Sequence, residues 1–555
     1  MIRRHLCHLT GIGLLMLALA TLCVGEAAAA TLTVCRSGCP FTQIAPAVAA
    51  AGPGDTVSVA AGSYKGGFQI TKSLSLVGAG AKRTTITGGG PVITVGSYGA
   101  ASEPTVSISG VTVTGGLTHS SPPAFFVDPN AWAIGGGIYI PFAAGKAPGA
   151  TLTVTDSVIS GNTVAPTSSE PFGPPCPGNV PCQFAEASGG GIADQGNVTL
   201  IGTTVSGNLS SSSGGITSDA IGAGVWVAGG STLTMRNSTV SGNLTQVSDP
   251  NGRFSEGTGV FATGNATVTI SDSSISGNAA NLNSSFPFDL GGGNFLEVGS
   301  HAAGLHLSDA DTAVISDSHI DNNAITASDP NGQLELFDAG MCDCGQGTLS
   351  MHDSTVSGNT ITGVMASNAD LFADTGFSTG GAFEFDGPAT VTDSQIENNR
   401  TTVTGLSGPI YGSGAVNVFD DPSAGGPELM TDSTISGNTV TATSPVSATI
   451  LGGGIVVASI VELRDDIVKK NTETATAPTG AAQGGGIWVG QYPGPPFSGQ
   501  LTAKDTTVTG NILSGSTSSI LLQGGGLYAN TTNPTTLTDT TISRNTPNNC
   551  SGATC

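Results

Sequence analysis

The chain has 555 residues, 83 of them Gly, with only 3 Trp and 6 Tyr, and a formal charge of −23 at pH 7. A composition poor in charged residues and rich in Gly suits many short strands and tight turns rather than helical bundles. The acidic balance excludes nucleic acid as a partner, because that binding needs clustered Lys and Arg.

Residues 1–30 read as a secretion signal. Arg3 and Arg4 give a positive start, "GIGLLMLALATLCV" an apolar core and "GEAAAA" a small-residue end. No later stretch is apolar for eighteen residues, so no membrane span is expected after signal removal. The expected location is secreted or cell surface. The remainder, 31–555, reads as one domain. Residues 31–130 form an N-terminal cap and first coils, 131–545 the regular repeats, and 546–555 a C-terminal cap. Within the first part, 41–51 reads as a short helix, with Pro46 near its first turn, where it is tolerated. Such a helix covers strand edges that would otherwise invite aggregation.

The repeat is registered on one Asn per unit: Asn162, Asn208, Asn243, Asn278, Asn323, Asn359, Asn399, Asn438, Asn471, Asn511 and Asn545. The intervals run from 33 to 46 residues. A β-branched residue stands three before each Asn, and Asp six before it in nine units. Upstream lies an alternating strand such as "TLTVTD" (151–156). Each unit opens on a glycine turn, as in "GGGIYI", "GAGVWV" and "GGGIWV". From the glycine turn to the Asn the length is most often 21, so the variable length is placed between the Asn and the next glycine turn. Several strands per unit, no helix and one variable corner describe a solenoid coil. A β-propeller has a similar period, but stacked coils at ~4.8 Å let identical amides bond along the axis, which radiating blades do not. The Asn column is therefore expected as a structural ladder. The repeated Asp is expected to bond backbone two residues on and so hold its turn. One Asp per coil falls short of the six to eight oxygens of calcium. No cofactor or metal is therefore indicated.

The glycine-turn and Ile-Ser-Gly-Asn signatures resemble the right-handed parallel β-helix of the pectin-lyase-like superfamily. They are also similar to repeats of polymorphic outer-membrane proteins, without the membrane barrel those carry. The resemblance covers about 130–545 and implies an all-β, right-handed parallel β-helix of about 13–14 coils with a short N-terminal capping helix. The opening from Phe41 is similar to that of secreted β-helix proteins, pectin methylesterases among them. Their Gly-Asp-Phe-Ile-Phe-Gly-like catalytic segment has no match here, so esterase activity does not carry over.

Three sets of residues depart from the scaffold pattern. The residue after each glycine-turn aliphatic should face outward. That column runs Tyr139, Ala193, Trp226, Phe261, His306, Cys342, Glu384, Val416, Val456, Trp488 and Tyr528. Its aromatics Tyr139, Trp226, Phe261, Trp488 and Tyr528 are candidates for stacking on sugar rings, or are plain strand-surface residues. Glu384 and Asp386, with His306 two coils away, are candidate catalytic residues. Two carboxylates about 6.5–7 Å apart on one strand face fall at the lower edge of the inverting glycosidase range. Arg464 and Lys504 are candidate proton acceptors of a uronate lyase. Arg236 and His352 share their position seven before the Asn.

The eight cysteines beyond the signal form four close pairs: Cys35 with Cys39, Cys176 with Cys182, Cys342 with Cys344, and Cys550 with Cys555. In an exported chain these read as local disulfides. The leading functional expectation is a non-catalytic protein that binds an extracellular polysaccharide or cell-surface glycan along its long face. The alternatives are a polysaccharide lyase or hydrolase, and a structural, adhesin-like spacer. Loops at 163–188, 279–301 and 360–379 are expected to rise along one edge and wall a groove.

Overall fold

The computed structural model describes residues 29–555 except 120–130, 167–183, 214–216, 249–251, 285–298, 310, 346, 369–378, 420–427, 492–497, 531–533 and 554. The signal segment 1–28 lies outside the described residues. So do Cys176 and Cys182, and the disulfide expected between them has no counterpart among the described pairs.

Each regular unit contributes five strands, and each strand pairs in parallel with its counterpart one coil away. One coil shows the plan. Val225–Ala228 follows the glycine turn, Thr232–Arg236 is the long alternating strand, and Thr239–Ser241 carries the β-branched residue. Leu244–Ser248 then follows the Asn, and Gly252–Glu256 leads into the next glycine turn. Stacking these gives a glycine-turn sheet of 14 strands, a long sheet of 15, a short sheet of 14, and post-Asn and pre-glycine sheets of 11 each among the described residues. The first three sheets enclose the main core, where residues such as Ile138, Leu152 and Ile159 are buried. A short helix, Ile44–Ala50, turns Ile44, Ala47 and Val48 inward at the first coils.

Most of the loop length expected at 163–188, 279–301 and 360–379 lies outside the described residues, and what is described of the post-Asn segments is strand. Their described parts form two more sheets, which close a second apolar compartment around residues such as Val247, Leu282, Ile325 and Ile450. The strand signal is the Thr alternation in stretches such as "TVTAT" (439–443).

The Asn column runs through the interior. Asn208 donates Nδ2–H to Asn243 Oδ1 at 3.0 Å and to the Ile159 carbonyl at 3.0 Å, and its backbone N–H reaches Asn243 Oδ1 at 3.1 Å. The same pattern repeats from Asn162 to Asn511, whose amide meets Asn545 Oδ1 at 3.0 Å. Every buried amide hydrogen and oxygen in the column is thus used, as burial requires.

The repeated Asp works differently from the expectation. All nine of these residues are exposed, and their φ values lie between +46° and +57°. Asp and Asn tolerate this left-handed backbone better than other residues with a Cβ, and Gly202 and Asn237 fill the two remaining units. The bonds that hold the turn come from the next residue. Ser238 Oγ donates to the Arg236 carbonyl at 2.9 Å, while the Ser238 N–H reaches Ser273 Oγ at 3.1 Å. The Asp therefore sets the backbone, and the buried hydroxyl makes a second ladder.

Candidate functional site

The pre-glycine strands end in one row and turn through the first residue of each glycine turn. That residue is Gly135, Gly189, Gly222, Gly257, Gly452, Gly484 and Gly524 in seven coils, with φ from +49° to +76°. Two coils break the rule, with Ala302 at φ +44° and Asp338 at φ +50°. A left-handed residue bearing a Cβ is costly, and a carboxylate here is fully buried as well. The visible signal in the sequence is "DAGM" (338–341) where other units read Gly-Gly-Gly-Ile.

Asp338 faces the outward row of the glycine-turn sheet, which register fixes as Trp226, Phe261, His306, Cys342, Glu384, Asn417, Val456 and Trp488. Val416 drops out of that row and points into the main core. Its neighbour Asn417 takes the place, because Ala415 stands at the last residue of the turn "SGAV" and not at the start of the strand. A Cβ at Gly381 would collide with both Asp338 Oδ1 and Asn417 Nδ2, so glycine is what lets these two side chains meet.

Asp338, Glu384, Asp386 and Asn417 thus form one polar cluster in this wall. Asp338 is 0% exposed, Glu384 2% and Asn417 0%, while Asp386, just beyond the strand Phe383–Phe385, is half-buried. Burial pushes the Asp338 carboxyl well above the usual carboxylate range. The nearby Glu384 and Asn417 side chains pull it back and the charge of Asp386 raises it further. Burial also pushes Glu384 well up, followed by the charges of Asp338 and Glu335. Every charged group acting on the pair is itself a carboxylate. Both Asp338 oxygens, Glu384 Oε2 and both amide atoms of Asn417 lack a well-aligned hydrogen bond. Burial beside other carboxylates therefore favours the protonated form of both side chains.

Two histidines extend the cluster. His306 lies in the row beside Cys342, and His301 at the end of the preceding pre-glycine strand stacks on it at 5.8 Å. Burial lowers His301 to about 4 and His306 to about 3, so both rings are neutral at pH 7. Cys342 and Cys344 lie 5.2 Å apart at Cα and are paired, as are Cys35 with Cys39 and Cys550 with Cys555. Three of the four expected pairs are thus brought together among the described residues, and the fourth, Cys176 with Cys182, falls outside them.

The row faces away from the main core but is not open to solvent. Trp226 is 8% exposed and Trp488 4%; Phe261 is buried, and Tyr139 and Tyr528 pack partly buried in the same two clusters. Residues at the ends of the pre-glycine strands join these clusters, Ile134 and Ile221 in the one with Trp226 and Leu451 in the one with Trp488. The aromatics therefore do not form an exposed platform. Glu384 and Asp386 do come together, joined by Asp338 and Asn417. Arg464 and Lys504 sit apart from them on the long sheet, in register with Arg236 and His352 along its exposed edge. Arg464 Nη2 meets Glu462 Oε1 at 2.7 Å and Lys504 Nζ meets Asp505 Oδ2 at 3.8 Å.

Residues 130–370 match the family model described as the right handed beta helix region. With five parallel sheets wound coil upon coil, that settles the architecture. The fold is a right-handed parallel β-helix. No curated protein matches the chain. Among solved structures, the β-helix is similar to the catalytic domain of a GH87 α-1,3-glucanase in complex with nigerose. Identity is 10%, covering 92% of this chain and 69% of that one, at a TM-score of 0.30. A PL6 family alginate lyase, AlyGC, is 10% identical over 93% and 100%, at 0.15. Values this low transfer no chemistry to this β-helix. Among the described residues no helix is long and apolar enough to cross a membrane.

Proposed function

We propose that this β-helix is a secreted protein that hydrolyses an extracellular polysaccharide at the Asp338–Glu384–Asp386 cluster. The observation that carries the reading is the buried Asp338, without an aligned hydrogen bond, at a turn position where seven other coils use glycine. A fold gains nothing in stability from that substitution, and such exceptions concentrate at functional sites.

Asp386 is the half-exposed member, and the reading assigns it the contact with substrate. Asp338 and Glu384 are positioning residues behind it. Carboxylates packed together without a cation cannot all ionise, so the cluster retains a proton at neutral pH. Asp386 delivers that proton to the glycosidic oxygen as the anomeric C–O bond breaks and its electrons pass to the leaving oxygen. Water then adds to the anomeric carbon, and its proton returns to the carboxylate cluster.

The test is incubation of the mature, oxidised protein with a panel of acidic and neutral polysaccharides. New reducing ends that vanish in Asp386→Asn support the reading. In Asp338→Asn and Glu384→Gln the pH–rate profile should shift. Absence of new ends on every polysaccharide sinks it, and unsaturated uronates would make the chain a lyase instead. The deep burial of Glu384 favours one other reading, retention of a glycan without turnover, which the same panel reveals as binding with no product.

A further inference from the structure

Over three coils the outward row of the glycine-turn sheet carries ligating side chains in place of apolar ones. His306, Cys342 and Glu384 are successive register partners, all buried. Cys344 lies two residues beyond Cys342 and bends back toward it. One Sγ from each cysteine and one Glu384 oxygen all lie within 4.8 Å of one another. Among the described residues, no other three His, Cys, Asp or Glu side chains converge so closely.

We propose that reduction of the Cys342–Cys344 disulfide opens a site for a thiophilic divalent cation of the zinc type, held by Cys342, Cys344, Glu384 and His306. Two sulfurs, one nitrogen and one carboxylate oxygen make a donor set that suits tetrahedral zinc and is too small and too soft for calcium or magnesium. Bonds of about 2.0–2.3 Å place such ligands roughly 3.5 Å apart. The two sulfurs and the Glu384 oxygen lie within 4.8 Å already, while His306, on the adjacent strand, stands outside that group and would have to turn in as the fourth ligand. His306 supplies the second independent observation. It is 3% exposed, and its Nδ1 is buried without a hydrogen-bond partner on the strand next to Cys342. The surroundings add Asp338 and Glu335 but no base acting on Glu384, so a cation would also offset the carboxylate charge.

The chemistry balances with a dithiol as reductant. The dithiol passes two electrons and two protons to the S–S bond and closes to its own disulfide. Cation binding then releases the two thiol protons to water. The site shares Glu384 with the hydrolytic reading but does not rest on it.

The full mature chain, reduced with dithiothreitol and freed of it without oxygen, is titrated with Co²⁺ and then Zn²⁺. One equivalent of Co²⁺ should give thiolate charge-transfer and tetrahedral visible bands that Zn²⁺ bleaches. Oxidised protein should give neither. The other cysteine pairs are also reduced, so the double variant Cys342→Ser/Cys344→Ser serves as control and should lack those bands. Glu384→Gln should weaken Co²⁺ by about ten-fold or more. Reduced protein of unchanged circular dichroism that absorbs no more than the double variant overturns the proposal. Should the double variant not fold, alkylation of the reduced wild type decides the matter. Zn²⁺ must slow labelling of Cys342 and Cys344, and unchanged labelling overturns the site. All these readouts are made without polysaccharide, so they stand or fall separately from hydrolysis.

Discussion

Asp338→Gly should make this protein more stable, and the gain should depend on pH. Asp338 holds φ +50°, where its counterparts Gly222 and Gly257 hold +52° and +49°. Releasing the left-handed Cβ is worth about 1–2 kcal/mol. Removing a buried carboxyl whose two oxygens lack aligned partners is worth about 1–3 kcal/mol more. The greater unfolded freedom of glycine takes back about 0.5–1 kcal/mol. The net expectation is a gain of about 1–4 kcal/mol near neutral pH. The sign with pH follows from the raised folded-state value. Below the unfolded value of 3.8 the carboxyl is protonated in both states and costs no charge burial. As pH climbs toward the folded value, wild type loses stability because the unfolded chain ionises first. The variant's advantage should therefore be smallest below pH 4 and grow toward neutrality. Guanidinium unfolding followed by Trp fluorescence at the two pH values measures it. Hydrogen exchange of amides between Gly340 and Phe385 gives the local value, since a solenoid need not unfold as one unit. A loss of 1 kcal/mol or more at neutral pH, or a gain equal at both pH values, would refute the electrostatic account of this corner. A stable variant that has also lost hydrolysis would show the trade of stability for function.

Other outcomes follow from the same structure. Asn278→Ala removes four hydrogen bonds and leaves the Asn243 N–H and the Val240 carbonyl buried without that side chain, costing about 2–6 kcal/mol in chemical unfolding. Asp272→Val forces a β-branched residue to φ +49° and should cost about 2 kcal/mol, whereas Asp272→Gly should change little in the same assay. Trp226→Ala and Trp488→Ala should each cost about 3–5 kcal/mol of stability, because both rings are packed rather than presented to a ligand. A glycan-retention loss without that unfolding penalty would contradict the packing. Arg464→Ala with Lys504→Ala should leave stability within about 1 kcal/mol and hydrolysis unchanged, since both side chains are exposed and lie on another sheet.

The scaffold was legible because each of its signals is local and repeats. An Asn every 33 to 46 residues, a β-branched residue three before it and a glycine turn upstream require only that coils stack. Strand period then separates residues facing the main core from those facing away. It could not say what covers the far side. Trp226, Phe261 and Glu384 are buried by the ends of pre-glycine strands that lie beyond the one stretch of variable length, where spacing carries no register. The Asp at each turn was visible as a pattern, but its role was not. Only backbone angles show that it sets a left-handed residue while the following hydroxyl makes the bonds. Glu384 and Asp386 stood out as charges in an aromatic row. Asp338 and Asn417 did not, because one occupies a glycine's position and the other was displaced by one residue in the turn alignment. What the sequence determined alone is the coil and its ladders, since identical side chains at a fixed rise must meet. What only the tertiary structure decided is which departures from the repeat share a corner. That depends on the lateral packing of sheets whose connecting lengths differ from coil to coil.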